Sequence, residues 1–162
     1  MPTSIDHAIF DLPNPNPGVG VLVQAGNVGV GNLSILGMPV VLRGVVQVLN
    51  SGIGFETGQS GGFGGTLQLD SGSTLLTSDG VIGSRTGNSP TAPTVNIFGQ
   101  GTRWTIGPSQ PLQIGFLEPA FVVVDQGGLL NAQKEIDVGT LDVRGHLEVH
   151  TNALVTTPTL NV

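Results

Sequence analysis

Apolar and polar positions alternate along this chain in a recurring phrase: an apolar–polar–apolar triplet, then a turn rich in Gly, Asn or Asp. It reads Val46-Gln47-Val48-Leu49-Asn50-Ser51-Gly52, then Leu67-Gln68-Leu69-Asp70-Ser71-Gly72. It returns as Val95-Asn96-Ile97-Phe98-Gly99, as Val122-Val123-Val124-Asp125-Gln126-Gly127 and as Leu147-Glu148-Val149-His150-Thr151-Asn152. A looser copy, Val21-Leu22-Val23-Gln24-Ala25-Gly26, opens the series. The steps between the lead residues 21, 46, 67, 95, 122 and 147 are 25, 21, 28, 27 and 25 residues. Period-2 alternation marks strands with one buried face. Self-similarity at such a spacing marks a repeat architecture, whose units bury their apolar face only against one another.

After residue 18 no stretch holds an apolar 3.6-residue period long enough for a helix. A repeat of this length, rich in Gly and Pro, accommodates three short strands and three turns. The expected fold is therefore all-β: a right-handed parallel β-helix, or solenoid, of about six coils over residues 18–162. Adjacent strands lie about 4.8 Å apart, so six coils give a rod about 25–30 Å long. The pattern predicts one inward column of Val46, Leu67, Val95, Val122 and Leu147, and a second of Val48, Leu69, Ile97, Val124 and Val149. Corners need sharp backbone turns, which Gly makes without a Cβ clash. The corner candidates are Gly52, Gly72, Gly99, Gly127 and the Gly80/Gly83 pair, helped by Asn50, Asp70, Asp125 and Asn152. Residues 57–65 and 85–93 read as loops bulging from corners.

Residues 1–17 stand apart as an N-terminal arm. Ser4 is placed to cap a short helical turn in which Ile5, Ile9 and Leu12 share a face. The run Pro13-Asn14-Pro15-Asn16-Pro17 then stops that turn and stiffens the link to the solenoid domain. Such an apolar knob on a tether either folds back over the first coil or docks on a neighbouring subunit. At the other end, Thr157-Pro158-Thr159-Leu160-Asn161-Val162 reads as a strand with nothing to cap it. An unpaired strand edge templates further pairing. The candidate assembly contacts are thus Ile5, Ile9, Phe10, Leu12, Leu160 and Val162, and the expected state is a homo-oligomer or larger assembly.

Composition narrows the setting. The chain has 162 residues with 26 Gly and 11 Pro, and 10% of its residues are charged, against about 25% in typical usage. A surface of small polar side chains fits an extracellular, cell-surface or virion protein better than a cytosolic enzyme. The net charge is −6, and Arg43, Arg85, Arg103, Lys134 and Arg144 are scattered. Nucleic-acid binding needs clustered cations, so that partner is excluded. There is no Cys, hence no disulfide framework and no thiolate metal site. The apolar runs are too short for a membrane-spanning segment. Met1-Pro2-Thr3-Ser4 begins a stretch without the basic and apolar regions of a signal peptide.

Candidate chemistry adds little. On a strand, His146, Glu148 and His150 project to one face with donors that suit a metal; Leu147 and Val149 facing a core make them solvent-facing instead. Glu135, Asp137 and Asp142 with Arg144 nearby have the residue types of a calcium-dependent polysaccharide lyase, but a solvated acidic face accounts for them far better. Gly61-Gly62-Phe63-Gly64-Gly65 lacks the Lys-Ser/Thr of a phosphate loop. With His7, His146 and His150 as the histidines and no Gly-x-Ser-x-Gly elbow, no Ser-His-Asp triad suggests itself. Trp104 is either a sugar-stacking ring or, more in keeping with its phrase, a wedge between coils. No catalytic residue, cofactor or metal is expected.

The order of phrases resembles the repeat of bacterial autotransporter passenger domains. Gly65-Thr66-Leu67-Gln68-Leu69-Asp70-Ser71-Gly72-Ser73-Thr74-Leu75 is followed by Gly80-Val81-Ile82-Gly83. Then come Thr94-Val95-Asn96-Ile97-Phe98-Gly99-Gln100-Gly101-Thr102-Arg103-Trp104 and Leu112-Gln113-Ile114-Gly115. The resemblance covers residues 64–162, and more faintly 18–56; similar repeats occur in phage and virion proteins. It implies a β-helix at a cell surface or virion, with no catalytic residue in the repeat. The expected function is a non-enzymatic structural solenoid for display or assembly, with surface glycans or other structural proteins as possible partners. The alternative is a carbohydrate-binding or polysaccharide-cleaving β-helix.

Overall fold

The computed structural model describes residues 7–11, 21–49, 55–60, 63–84, 91–140 and 143–162. Ser4, Ile5, Leu12, the Pro13–Pro17 run, Asn50, Gly52, Arg85 and Asp142 lie outside the described residues. Every element among the described residues is a strand. The chain opens with β1 (His7–Asp11), β2 (Val21–Val30), β3 (Asn32–Leu36), β4 (Pro39–Val48), β5 (Phe55–Ser60) and β6 (Phe63–Gly64). It continues with β7 (Thr66–Leu69), β8 (Thr74–Thr77), β9 (Gly80–Ile82), β10 (Thr94–Phe98), β11 (Arg103–Ile106) and β12 (Leu112–Ile114). It closes with β13 (Ala120–Asp125), β14 (Leu129–Ala132), β15 (Ile136–Val138), β16 (Gly145–Val149), β17 (Leu154–Thr156) and β18 (Leu160–Asn161).

These strands wind into a parallel β-solenoid with three faces. The first face stacks the N-terminal halves of β2 and β4, then β7, β10, β13 and β16. The second stacks the C-terminal halves of β2 and β4, then β8, β11, β14 and β17. The third stacks β1, β3, β5, β9, β12, β15 and β18. From β2 to β16 the chain makes about five turns. Alternate residues enter a common core: β7, β8 and β10 each bury every second side chain. Val, Ile and Leu supply nearly all of it, as a pleated, one-side-buried surface favours.

Register corrects the expected columns. The first runs Val21, Val40, Leu67, Val95, Val122, Leu147, and the second runs Val23, Leu42, Leu69, Ile97, Val124, Val149. Val46 instead pairs with Val28 and Leu75 on the second face, and Val48 with Val30. The reason is that β4 runs round its corner as one strand of ten residues. With no turn between the faces, apolar–polar alternation repeats on both and the phrase alone cannot say which copy is in register.

The later corners are turns of two kinds. Between the first and second faces, Ser73 N–H donates to Asp70 O at 2.9 Å and Gly128 N–H to Asp125 O at 3.0 Å. Their central residues are all left-handed: Ser71 at φ 54°, Gly72 at 75°, Gln126 at 49° and Gly127 at 86°, the φ signature of a type I′ turn. After the third face, Gly83, Gly115 and Gly139 stack at φ 80–83°, and each donates its N–H to the coil beneath at 2.7–2.9 Å. These are the glycines of the Ile-Gly phrases, joined by Asp137-Val138-Gly139. Gly80 is not at a corner: it lies within β9, fully inside.

Two further expectations change. Ile9 and Phe10 belong to a strand, not a helical turn: β1 pairs in parallel with β3, setting Ala8 beside Leu33 and Phe10 beside Ile35. Pairing satisfies the backbone and packs Phe10 on the core, which an isolated helical turn followed by Pro achieves poorly. Here the arm does fold back, over the third face of the first coil. Residues 57–65 are not wholly loop either, because Thr57–Ser60 continue β5, which forms an antiparallel pair with β6.

Candidate functional site

Among the described residues, strands β16, β17 and β18 each pair on one side alone, with β13, β14 and β15; their other edges meet no described strand. The core columns surface here too. Ile97 and Val124 are fully buried, and Val149, next in their column, is 49% exposed. Leu112 and Ile136 are fully buried, and Leu160 above them is 51% exposed. Leu147, Ala153 and Val155 are half-buried beside them, and Val162 is almost entirely exposed. Leu160 and Val162, candidate contacts from the sequence, stand exposed here; Val149 is exposed with them and was not among those candidates. Its signal is that it is the last member of a core column.

At the opposite end, β1 covers one face of three. Phe10 lines an apolar cavity of about 150 Å³ with Val23, Val28 and Val30 of the first coil. Ile9 faces outward and is exposed, so it is separate from that mouth. Of the arm's other candidates, Ile5 and Leu12 lie outside the described residues.

Charged groups sit on the flanks and do not converge. Arg43 grips Asp70 with two hydrogen bonds, Nε to Oδ1 at 2.8 Å and Nη2 to Oδ2 at 3.1 Å. That bond holds the Asp70 carboxyl below the usual carboxylate range against the opposing effect of burial, with Ser71 and Gln68 assisting. In turn Asp70 raises the Arg43 guanidinium further. His146 stacks flat on Phe121, ring centres 4.7 Å apart at 11°. His150 lies 3.2 Å from Glu148 Oε2 through Nε2 and 3.8 Å from Asp125 Oδ2 through Nδ1. His146 is therefore set apart on Phe121, while Glu148 and His150 pair with each other. Among the described residues no group of three His, Cys, Asp or Glu is placed to hold a metal. Asp137 accepts a hydrogen bond from Asn161 Nδ2 at 2.6 Å. Trp104 is fully buried between coils, so its ring is closed to any sugar.

No helix among the described residues is long and apolar enough to cross a membrane. Compared with known proteins, the chain matches no family model, no curated protein and no solved structure.

Proposed function

We propose that this chain is a non-enzymatic structural solenoid, an assembly or display element of a cell surface or virion, that associates with a second copy of itself through its last coil. The observation that carries this reading is the half-exposed pair Val149 and Leu160, which follow fully buried members of their columns, Ile97 and Val124 for the one and Leu112 and Ile136 for the other. Strands β16, β17 and β18 continue the register of β13, β14 and β15. Another β-coil is the partner that satisfies both the open backbone groups and the apolar column ends at once. Among the described residues β2 pairs with β4 alone, and its other edge supplies such a coil with half-buried Val21, Val23, Val28 and Val30. A head-to-tail contact of this sort is heterologous and propagates unless it closes on itself. The low charge content and the resemblance of the repeat to passenger domains support the same setting.

Sedimentation velocity across protein concentration tests the reading. Dimers and longer species are expected at tens of micromolar, with mass action setting their share. The double substitution Val149→Lys with Leu160→Lys should return the protein to monomer while its circular dichroism stays that of the parent. A parent chain that stays monomeric at tens of micromolar overturns the proposal.

A further inference from the structure

The flank built by β7, β10 and β13 carries a feature independent of the open end. Register places Gln68 beside Asn96 and Asn96 beside Val123 on the outward side, and Phe98 beside Asp125. These five side chains line a shallow cavity of about 360 Å³, within the range of small-ligand sites. Phe98 is 41% exposed in the middle of the stack, with a coil on either side, so an unfinished end does not explain it. Asn96 makes no side-chain hydrogen bond to the protein among the described residues. Gln68 donates one N–H to Asp70 at 3.2 Å and keeps its carbonyl oxygen and second N–H for another partner. Asp125 Oδ1 accepts the Gln126 N–H at 2.7 Å, and each carboxylate oxygen accepts more than one bond.

We propose that this cavity binds a short neutral saccharide, with the sugar ring lying on Phe98 and its hydroxyls bonded to Asn96, Gln68 and Asp125. An aromatic face carries partial negative charge and attracts the polarised C–H edge of a pyranose. Each hydroxyl donates and accepts, and carboxamides offer both roles side by side while a carboxylate takes two donors. Charge chooses among sugars. Asp70 is matched by Arg43, whereas Asp125 and Glu148 are met by His150 alone, on a chain of net charge −6. Uronic and sulfated sugars are repelled; neutral ones are not. The sequence offered Trp104 as a sugar-stacking ring or a wedge between coils; Trp104 is fully buried, and Phe98 is the more exposed aromatic ring on this flank.

Titration of ¹⁵N-labelled protein with cellohexaose, chitohexaose and maltohexaose, read by amide chemical shifts, tests this. Hexagalacturonate serves as the anionic comparison. At least one neutral probe should move amides of β7, β10 and β13 with a Kd of about 0.1–1 mM. Phe98→Ala should weaken that binding roughly 10-fold or more, and Asn96→Ala should weaken it too, both with unchanged thermal midpoints. The proposal is overturned if no neutral probe shifts these amides by about 10 mM, if both variants bind as the parent does, or if hexagalacturonate binds more tightly than every neutral probe.

Discussion

A Cβ atom on Gly80 would lie 2.8 Å from Cζ2 of Trp104 and 2.9 Å from Cδ1 of Leu112. Gly80 sits in the third-face column beside Leu112, with Ile136 one coil further on. The empty place is filled by Trp104, which reaches across the core from the second face. There its edge meets Phe55, ring centres 5.1 Å apart at 82°, and its indole N–H donates to Thr77 Oγ1 at 3.0 Å. Gly80→Ala should therefore destabilise by about 1–3 kcal/mol through overpacking. In the Trp104→Leu background the same change should cost less, because one of the two clash partners is gone and Leu112 gains room to move. Urea unfolding followed by circular dichroism measures both. Equal costs in the two backgrounds would show that Gly80 is there for another reason.

Gln126 carries backbone strain that a better turn residue removes. Its φ is 49° at the first left-handed position of the corner, ahead of Gly127. Left-handed backbone costs an ordinary L-residue about 1–2 kcal/mol, and Asn less because its short side chain bonds locally. Gln126 is exposed, so a change there removes little packing. Gln126→Asn should stabilise by roughly 0.5 kcal/mol, without the chain entropy that Gly adds to the unfolded state. A thermal midpoint that fails to rise contradicts the strain argument.

The Arg43–Asp70 pair gives stability an acid dependence of known sign. The folded carboxyl titrates below its unfolded value of about 3.9, because Arg43 holds it ionised. Its contribution is fully present above that unfolded value and fades as pH falls toward the lower, folded one. Asp70→Asn should then be less stable than the parent at pH 7, with the gap closing below about pH 4. Half-exposed Arg43 is open to screening, so added salt should narrow the gap at neutral pH. Urea midpoints at several pH values check this; a gap that widens in acid reverses the assignment.

The fold was legible where a turn separates two faces and illegible where none does. Leu67, Val95, Val122 and Leu147 fall in one column as their spacing predicts, because corners with left-handed Gly or Asn mark each coil from β7 onward. In the first coils the corner glycine, Gly44 at φ 106°, lies inside a continuous strand. In β4 the strand turns its corner without a break, so Val46 looked like the column member when Val40 is. Ile5, Ile9 and Leu12 suggested a helix by spacing alone, but residues 7–11 found a strand partner in β3, and tertiary pairing overrides a weak local period. The site was less legible still. Phe98 looks in sequence like any residue after an inward Ile; its prominence comes from Asn96, Val123 and Asp125, which stacking brings beside it from its own strand and the next coil.

Position along one column should set the cost of truncation. Ile97 and Val124 are fully buried and Val149 is 49% exposed, although all three occupy equivalent places in β10, β13 and β16. Ile97→Ala leaves a cavity sealed by coils on both sides and should cost about 2–5 kcal/mol. Val149→Ala opens no closed cavity in the monomer and should cost less than about 1 kcal/mol at low micromolar protein. If a second copy covers β16, raising the concentration buries Val149. The Val149→Ala penalty should then grow with concentration, as association feeds into stability, while the Ile97→Ala penalty stays fixed. Denaturation at about 1 µM and at tens of micromolar separates the two. A Val149→Ala penalty independent of concentration means that nothing stacks on this edge in solution.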